Sequence, residues 1–365
     1  MAPPVELARR MPHSVDGAEP VYRFRRTRFR PGSARSAARN SLLLFALNAT
    51  RALGLRVAEA LGVALSPHEE REFEDGEHKA RPLVSVRDRD VYVIHSLHGE
   101  PGASVNDKLL RLLFFLGALR DAGAARVTAV LPYLAYGRKD ARTKPRDPLT
   151  TRYVAALFEA VGVDRVVALE VHNVAAFQNA FRCRAEHLDT AALFARHFAA
   201  ALPAAMPLVV VSPDAGGIKR AERLREALSR LRGTEAALAF MQKTRKDGRV
   251  TPGRLAGDVA GAAAVLVDDL ISTGTTLALA AQACSAAGAR FVYAAAAHGL
   301  FTRDADRFFA TEALARVVVT DSVAPERVPA DVTRGKLATL PLAPFLADAI
   351  RRLHTGGSLI ELLAG

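Results

Sequence analysis

Near-continuous apolar runs of strand length alternate, from residue 41 onward, with segments in which apolar residues recur about every 3.6 positions. Strands of this composition are typical of parallel sheets that helices cover on both faces. The alternation forms two blocks, and it predicts an α/β fold with two consecutive domains, each a mainly parallel sheet with helices on both faces. The predicted strands are residues 90–97, 126–134, 165–172, 207–214, 262–270 and 290–298, and the predicted helices are residues 109–123, 150–162, 217–232 and 275–287.

The 365 residues of the chain suit two domains of about 150 residues each. The join between the two blocks falls near residues 186–205. We therefore expect an N-terminal domain over residues 41–188, a C-terminal domain over residues 189–345, and a C-terminal helix and tail over residues 346–365.

The first 40 residues carry nine arginines and three acidic residues, and so hold half of the net charge of +12. They show no strand or helix period, and we expect a basic, disordered extension outside the fold. Residues 21–40 are rich in Arg and poor in acids, as transit peptides are, which leaves a targeting segment as the alternative. The positive balance suggests an anionic partner: nucleic acid, a membrane or a phosphate-rich small molecule.

Several classes of protein are excluded by what the sequence lacks. No window reaches 18 apolar residues without a charge, and the N-terminus has no apolar segment typical of a secretory signal. Two cysteines far apart in sequence, Cys183 and Cys284, cannot form a disulfide framework or a zinc site built on cysteine. We expect a cytoplasmic protein that neither spans nor binds a membrane.

The most specific segment is VLVDDLISTGTTLALAAQA, residues 265–283. An apolar strand delivers two carboxylates, Asp268 and Asp269, and the chain then turns through Ser272, Thr273, Gly274, Thr275 and Thr276 into a helix. Free N–H groups at a helix start, hydroxyls and a glycine form a phosphate cradle, and the carboxylates suit the vicinal hydroxyls of a sugar or a Mg²⁺ ion. The alternative is a strand end whose polar residues only cap the helix.

A second cluster of charge follows the strand predicted to end at residue 134. The cluster is large enough to bind a polyphosphate, and a solvated charged loop is the alternative. Its basic residues are Arg138, Lys139, Arg142, Lys144 and Arg146.

These segments together resemble the ribose-phosphate diphosphokinases, or phosphoribosyl-diphosphate synthetases, over residues 41–355. Residues 265–283 resemble the phosphoribosyl-diphosphate motif of the wider phosphoribosyltransferase superfamily. Residues 131–172 resemble the family stretch that runs from a Pro-Tyr segment to a metal-binding histidine. The resemblance implies two phosphoribosyltransferase-like domains and Mg²⁺ as the cofactor.

The resemblance also implies a role for each matching residue. ATP would contact an aromatic residue and acids in a hairpin, and the basic loop: Phe73, Asp75, Glu77, Arg138, Lys139 and Asp140. Ribose 5-phosphate would bind Asp268, Asp269, Ser272, Thr273, Gly274, Thr275 and Thr276. The Mg²⁺ residues would be His172 and Asp214, although a lone strand-end histidine or turn aspartate is more often structural. The catalytic residues would be Lys243 and Arg245, within residues 241–248, which resemble a mobile catalytic loop.

Five departures indicate a divergent branch of this family. The basic loop has Lys139 where the family has Gln, and the catalytic segment has Thr244 where the family has a third cation. Ser272 replaces an acid, Thr275 replaces a glycine, and the run after His172 is not rich in Gln.

The function implied by the resemblance is transfer of the diphosphoryl group of ATP to the anomeric hydroxyl of ribose 5-phosphate, which gives 5-phospho-α-D-ribose 1-diphosphate and AMP. A homodimer or higher homo-oligomer is implied as well, because the family's nucleotide site lies between subunits. Three alternatives stay open: a salvage phosphoribosyltransferase, a non-catalytic regulatory relative, and a nucleic-acid-binding regulator that would use the basic N-terminus. No nucleic-acid partner is expected, because that terminus lacks a folded reader domain.

Overall fold

The computed structural model describes residues 41–246, 249–302, 305–324 and 328–364, without the side chains of residues 243–252. Residues 1–40, for which the sequence predicts a basic extension, lie outside the described residues.

The N-terminal domain is built on a five-stranded parallel sheet with the strand order β1-β4-β5-β6-β7. The sheet has apolar side chains packed on both faces, which is why its strands read as continuous apolar runs. Its strands are β1 (Leu42–Ala46), β4 (Asp90–Ile94), β5 (Arg126–Leu131), β6 (Arg165–Leu169) and β7 (Arg184–Leu188). Its helices are α1 (Arg51–Leu61), α2 (Val105–Asp121), α3 (Thr150–Ala160) and α4 (Val174–Ala180).

An antiparallel hairpin between α1 and β4 packs against α2, with the ring of His78 stacked on Phe114. It consists of β2 (His68–Glu72) and β3 (His78–Pro82), which form a two-stranded sheet of their own. The turn between them carries three of the predicted ATP-binding residues, namely Phe73, Asp75 and Glu77.

The C-terminal domain is built on a seven-stranded sheet with the order β10-β9-β8-β11-β12-β13-β14, in which only the β9–β10 pair is antiparallel. Its strands are β8 (Leu208–Ser212), β9 (Ala237–Lys246), β10 (Arg249–Ala256), β11 (Ala263–Ile271), β12 (Phe291–Gly299), β13 (Arg316–Thr320) and β14 (Leu337–Leu340). Its helices are α5 (Ala191–Ala201), α6 (Ile218–Arg232), α7 (Thr275–Ala286), α8 (Ala305–Phe309) and α9 (Ala330–Thr333).

The last two helices, α10 (Ala343–Thr355) and α11 (Leu359–Ala364), return to the N-terminal domain. Phe345 and Ile350 of α10 belong to the same apolar cluster as Leu44 of β1 and Ile94 of β4. His354 Nδ1 also donates to Asp90 Oδ2 at 2.7 Å. The polypeptide therefore crosses between the domains twice, which ties the end of the chain to its first sheet.

The predicted fold class is confirmed, and all six predicted strands and four predicted helices occur. Helix α2 begins earlier than its apolar period indicates, because Ser104 and Asp107 form a reciprocal capping box at its start. Strand β6 ends at Leu169 rather than residue 172, because Glu170 has a φ of 39° and leaves the extended conformation. Among the described residues, no helix is both long and apolar enough to cross a bilayer.

Residues 241–248, expected as a loop, differ from that expectation. Their described backbone belongs to strand β9 up to Lys246, and it pairs with β10 through partners such as Arg245 and Val250. Backbone pairing along this sheet edge satisfies the peptide groups that a loop would leave to solvent. The side chains of Lys243 and Arg245 lie outside the described residues.

Candidate active site

A cavity of about 820 Å³ lies at the carboxyl ends of strands from both sheets. Its walls come from the segments that follow β5, β6 and β8 and from the end of β11. Ligands of parallel α/β sheets bind at such strand ends. The predicted site residues that line it are Arg138, Asp140, His172, Asp214, Asp268, Asp269, Ser272, Thr273, Gly274, Thr275 and Thr276.

The turn from β11 into α7 presents uncapped backbone groups to this cavity. Gly274 is the N-cap of α7, and no side chain caps the helix. The first N–H groups of a helix have no partner within it, so an anion is a suitable ligand for them. Hydroxyls surround the turn, since Ser272 Oγ lies 3.0 Å from Thr302 Oγ1 and Thr273 Oγ1 lies 3.1 Å from Thr275 Oγ1.

Gly274 is required here by its backbone and by its neighbour. Its φ is +77°, and a Cβ atom at this position would lie 2.3 Å from Cγ of the buried Phe308. We expect Gly274→Ala to lower the free energy of unfolding by about 2–4 kcal/mol, from left-handed strain and overpacking together. Urea unfolding measures this loss.

Gly233→Ala is the matched control for that substitution. Gly233 has a φ of +66° but open space around its Cβ position, so this variant should show only the cost of the strain. Equal losses of stability in the two variants would contradict a steric role for Phe308.

Asp268 and Asp269 differ in their environment. Asp269 is 3% exposed, and its Oδ2 accepts a 2.9 Å hydrogen bond from His172 Nδ1. Its Oδ1 lies 3.7 Å from Arg220 Nη2, while Asp268 Oδ1 lies 3.5 Å from Arg220 Nη1. One guanidinium therefore faces both carboxylates.

These contacts divide the charge of the pair unequally. Burial and the neighbouring Asp269 raise the pKa of Asp268. Burial opposes ionisation of Asp269 too, but the hydrogen bond from His172 and the charge of Arg220 hold the pKa of Asp269 below its usual value. The same hydrogen bond raises the pKa of His172. The opposite shifts mean that Asp269 loses its proton at lower pH than Asp268.

The predicted metal residues, His172 and Asp214, line the same cavity. His172 Nδ1 is bonded to Asp269, and Asp214 Oδ1 accepts from Gly217 N at 3.1 Å. Among the described residues, no group of three or more His, Cys, Asp or Glu side chains could chelate a metal ion. Mg²⁺ takes one or two protein groups and keeps several waters, so this sparse donor set fits Mg²⁺.

The basic loop after β5 contributes to the cavity through Arg138 and Asp140. Asp140 Oδ2 accepts a 2.7 Å hydrogen bond from Asn173 Nδ2, at the start of α4. Lys139 is not among the described residues that line the cavity. Its Nζ binds Asp147 Oδ2 at 2.6 Å, and Asp147 also accepts from the backbone of Thr143, so Lys139 orders the loop.

The hairpin residues lie apart from the cavity. Phe73 is 39% exposed, with the Arg71 guanidinium 5.0 Å from its ring centroid. Asp75 Oδ1 accepts from Glu77 N at 3.0 Å, which shapes the turn. None of the described residues that line the cavity comes from this hairpin. The structure of one chain thus brings together the sugar-phosphate, metal and basic-loop residues but not the adenine residues.

Two residues of the site were missed by the sequence analysis. Glu170 and Arg220 connect the domains beside Asp268 and Asp269, with Arg220 Nε 2.9 Å from Glu170 Oε1. The signals were an acid between an apolar strand and His172, and an arginine shortly after Asp214. Neither signal reveals that Glu170 and Arg220, which are 50 positions apart, pair with each other.

Comparisons with known proteins show which family this chain is similar to. Residues 42–162 match the family model described as the N-terminal domain of ribose phosphate pyrophosphokinase, and residues 231–364 match the phosphoribosyl synthetase-associated domain. A ribose-phosphate pyrophosphokinase of Fusobacterium nucleatum is 36% identical over 325 residues, which cover 88% of this chain and 98% of that protein. The crystal structure of phosphoribosylpyrophosphate synthetase from Mycobacterium smegmatis matches with a TM-score of 0.76 and 33% identity, over 87% of this chain and 100% of that one.

Proposed function

This chain belongs to the ribose-phosphate pyrophosphokinase family, and we propose that it transfers the diphosphoryl group of ATP to ribose 5-phosphate in a Mg²⁺-dependent reaction. The products are 5-phospho-α-D-ribose 1-diphosphate and AMP. The observation that carries this proposal is the two-sided cavity, in which Arg138, Asp140 and His172 of the first domain share one space with Asp268 and the 272–276 turn of the second.

The C-terminal wall supplies the sugar-phosphate half of the site. The phosphate of ribose 5-phosphate would accept hydrogen bonds from the uncapped N–H groups at the start of α7 and from the hydroxyls of Thr273 and Thr275. Its vicinal hydroxyls would donate to Asp268 and Asp269. Asp268 is the more exposed of the two carboxylates, so we assign it the closer contact with the sugar.

The N-terminal wall supplies the nucleotide half. The Arg138 guanidinium suits the phosphates of ATP, and His172 of this wall would hold Mg²⁺ together with Asp214 of the C-terminal domain, waters and phosphate oxygens. Bound Mg²⁺ would offset negative charge on those oxygens.

In the reaction the anomeric oxygen of the sugar attacks the β-phosphorus of ATP. The bond from that phosphorus to the oxygen that bridges the α- and β-phosphates breaks, and AMP leaves with its electron pair. The proton of the anomeric hydroxyl passes to solvent, and we assign no side chain as general base. The protein's part is positioning and stabilisation of charge, by Arg138 and by Lys243 and Arg245.

The exposed hairpin supports a homo-oligomer. Adenine would stack on Phe73, and Asp75 and Glu77 would bind the edge of the adenine and the ribose. None of these three is among the described residues that line the cavity of the same chain. A hairpin from a second subunit would complete the nucleotide site.

The direct test is incubation of the full chain with ATP, ribose 5-phosphate and Mg²⁺, followed by identification of the products. We expect AMP and an acid-labile sugar diphosphate in equal amounts. Formation of ADP, or no reaction, would contradict the proposal. A salvage phosphoribosyltransferase would instead consume the sugar diphosphate, and a non-catalytic relative would bind both substrates without turnover.

A further inference from the structure

Glu170 is a buried carboxylate that the N-terminal domain places against the sugar-binding wall of the other domain. It follows β6 directly and is 2% exposed. None of the roles assigned above uses it. A buried carboxylate is costly unless it is paired and hydrogen-bonded, so its partners indicate what it does.

The backbone of Glu170 is held in an uncommon conformation. Its φ of 39° lies in the left-handed region, which is unfavourable for a residue other than glycine. Two hydrogen bonds fix it there: its N–H donates to Leu188 O at 2.8 Å, and its carbonyl accepts from His298 Nε2 at 3.1 Å. His298 belongs to β12, so one of these bonds comes from the C-terminal domain. Strain that neighbours maintain in this way is often found at functional sites.

The side chain of Glu170 is fully engaged. Oε2 accepts from both the N–H and the hydroxyl of Thr190, each at 2.9 Å. Oε1 accepts from Arg220 Nε at 2.9 Å, with Arg223 Nη2 farther away at 3.9 Å. Thr190 thus fixes one oxygen, and this directs the other oxygen at Arg220.

Arg220 links Glu170 to the sugar carboxylates. Its Nε is bonded to Glu170, and its two Nη atoms face Asp268 Oδ1 at 3.5 Å and Asp269 Oδ1 at 3.7 Å. The shortest of these contacts is the one to Glu170. The guanidinium is therefore anchored by Glu170, and it reaches the two aspartates only through a long hydrogen bond to Asp268 and a long ion pair to Asp269, which partly offset their charge. Without that anchor, Arg220 would be drawn onto the aspartates and would compete with the sugar hydroxyls for their oxygens.

We propose that Glu170 is a positioning residue for ribose 5-phosphate, which acts by holding Arg220 away from the oxygens of Asp268 and Asp269 that accept the sugar hydroxyls. This inference rests on the proposed function. Glu170 itself touches no substrate in this arrangement, so its effect passes entirely through Arg220.

The first test is Glu170→Gln, which keeps the shape of the side chain and removes its charge. We expect the KM for ribose 5-phosphate and its Kd by calorimetry to rise about tenfold or more, and the KM for ATP to change less than about threefold. If the variant does not fold, Glu170→Asp keeps the charge but is one methylene shorter and cannot reach Thr190 and Arg220 together. It should show a smaller rise of the same kind.

Arg56→Gln is the matched control, because Arg56 Nη2 and Asp321 Oδ2 form another ion pair between the domains at 3.0 Å, and neither is among the described residues that line the cavity. This control should leave both KM values unchanged. An equal rise for the two substrates in the Glu170 variants, or a rise for ribose 5-phosphate in Arg56→Gln as large as in Glu170→Gln, would overturn the inference.

A double variant tests whether the effect passes through Arg220. If it does, Glu170→Gln combined with Arg220→Gln should bind ribose 5-phosphate no more weakly than Arg220→Gln alone. Additive losses would overturn the positioning role. The two hypotheses fail in different ways. If the wild-type protein produces no sugar diphosphate, the proposed function is wrong. If the Glu170 variants keep normal turnover and normal affinity for ribose 5-phosphate, only this inference is wrong.

Discussion

Replacing Lys243 or Arg245 by alanine should lower turnover by about two orders of magnitude or more, while the affinity for ATP changes by less than about tenfold. Cations that contact a transferring phosphoryl group mainly in the transition state contribute roughly 10³–10⁵ in rate, or about 4–7 kcal/mol of barrier. An interaction of this kind lowers kcat and leaves ground-state binding nearly intact. Steady-state kinetics with equilibrium binding of ATP measures both quantities.

Two controls belong to this experiment. Arg254 is an exposed residue of β10, the strand that pairs with β9, and it lies opposite Gln242. Arg254→Ala should keep full turnover. Thr244→Arg restores the family's third cation and should leave the reaction intact. The double variant of Lys243 and Arg245 should lose less than the product of the single losses, since in our proposal both residues stabilise the same phosphoryl oxygens. If Lys243→Ala kept most of its turnover, the catalytic assignment of this segment would be refuted.

The elements that the sequence predicted well are those whose buried faces are continuous in sequence. Strand β4 and strand β6 consist of uninterrupted apolar residues after their first position, and buried parallel strands need no alternation. The turn after β11 could also be predicted from the sequence, because its carboxylates, hydroxyls and glycine are adjacent in the chain. For the strands and for this turn, residues that are neighbours in the sequence were enough to make the prediction.

Features that depend on contacts between residues distant in the sequence could not be predicted from the sequence. The return of α10 to the first sheet is fixed by contacts such as His354 with Asp90, which are 264 positions apart. The ion pair of Glu170 with Arg220 joins the two domains. Lys139, which the resemblance assigns to ATP, is bonded to Asp147 and is not among the described residues that line the cavity. Residue type and spacing limit what each side chain can do, but its neighbours decide which role it takes.

The environments of Asp268 and Asp269 lead to the second large expected effect. Asp268→Ala should raise the KM for ribose 5-phosphate about tenfold to hundredfold, because an unpaired buried hydroxyl costs roughly 1–3 kcal/mol. The KM for ATP should change much less, since we propose that the phosphates of ATP bind on the other wall. Asp269→Ala should show a similar loss of sugar affinity together with a loss of stability, because its carboxylate also pairs with His172 and faces Arg220.

Asp164→Asn measures the general cost of removing a structural carboxylate. Asp164 accepts from Val127 N at 2.8 Å and pairs with Arg120 at 3.0 Å, and it lies outside the described lining of the cavity. This variant should lose stability in urea unfolding without any change in either KM. The contrast matters because our proposal gives Asp269 both a structural and a binding role, and Asp268 mainly a binding role. If Asp268→Ala weakened ATP and ribose 5-phosphate equally, the carboxylates would serve the cavity as a whole, and the assignment of this wall to the sugar would be wrong.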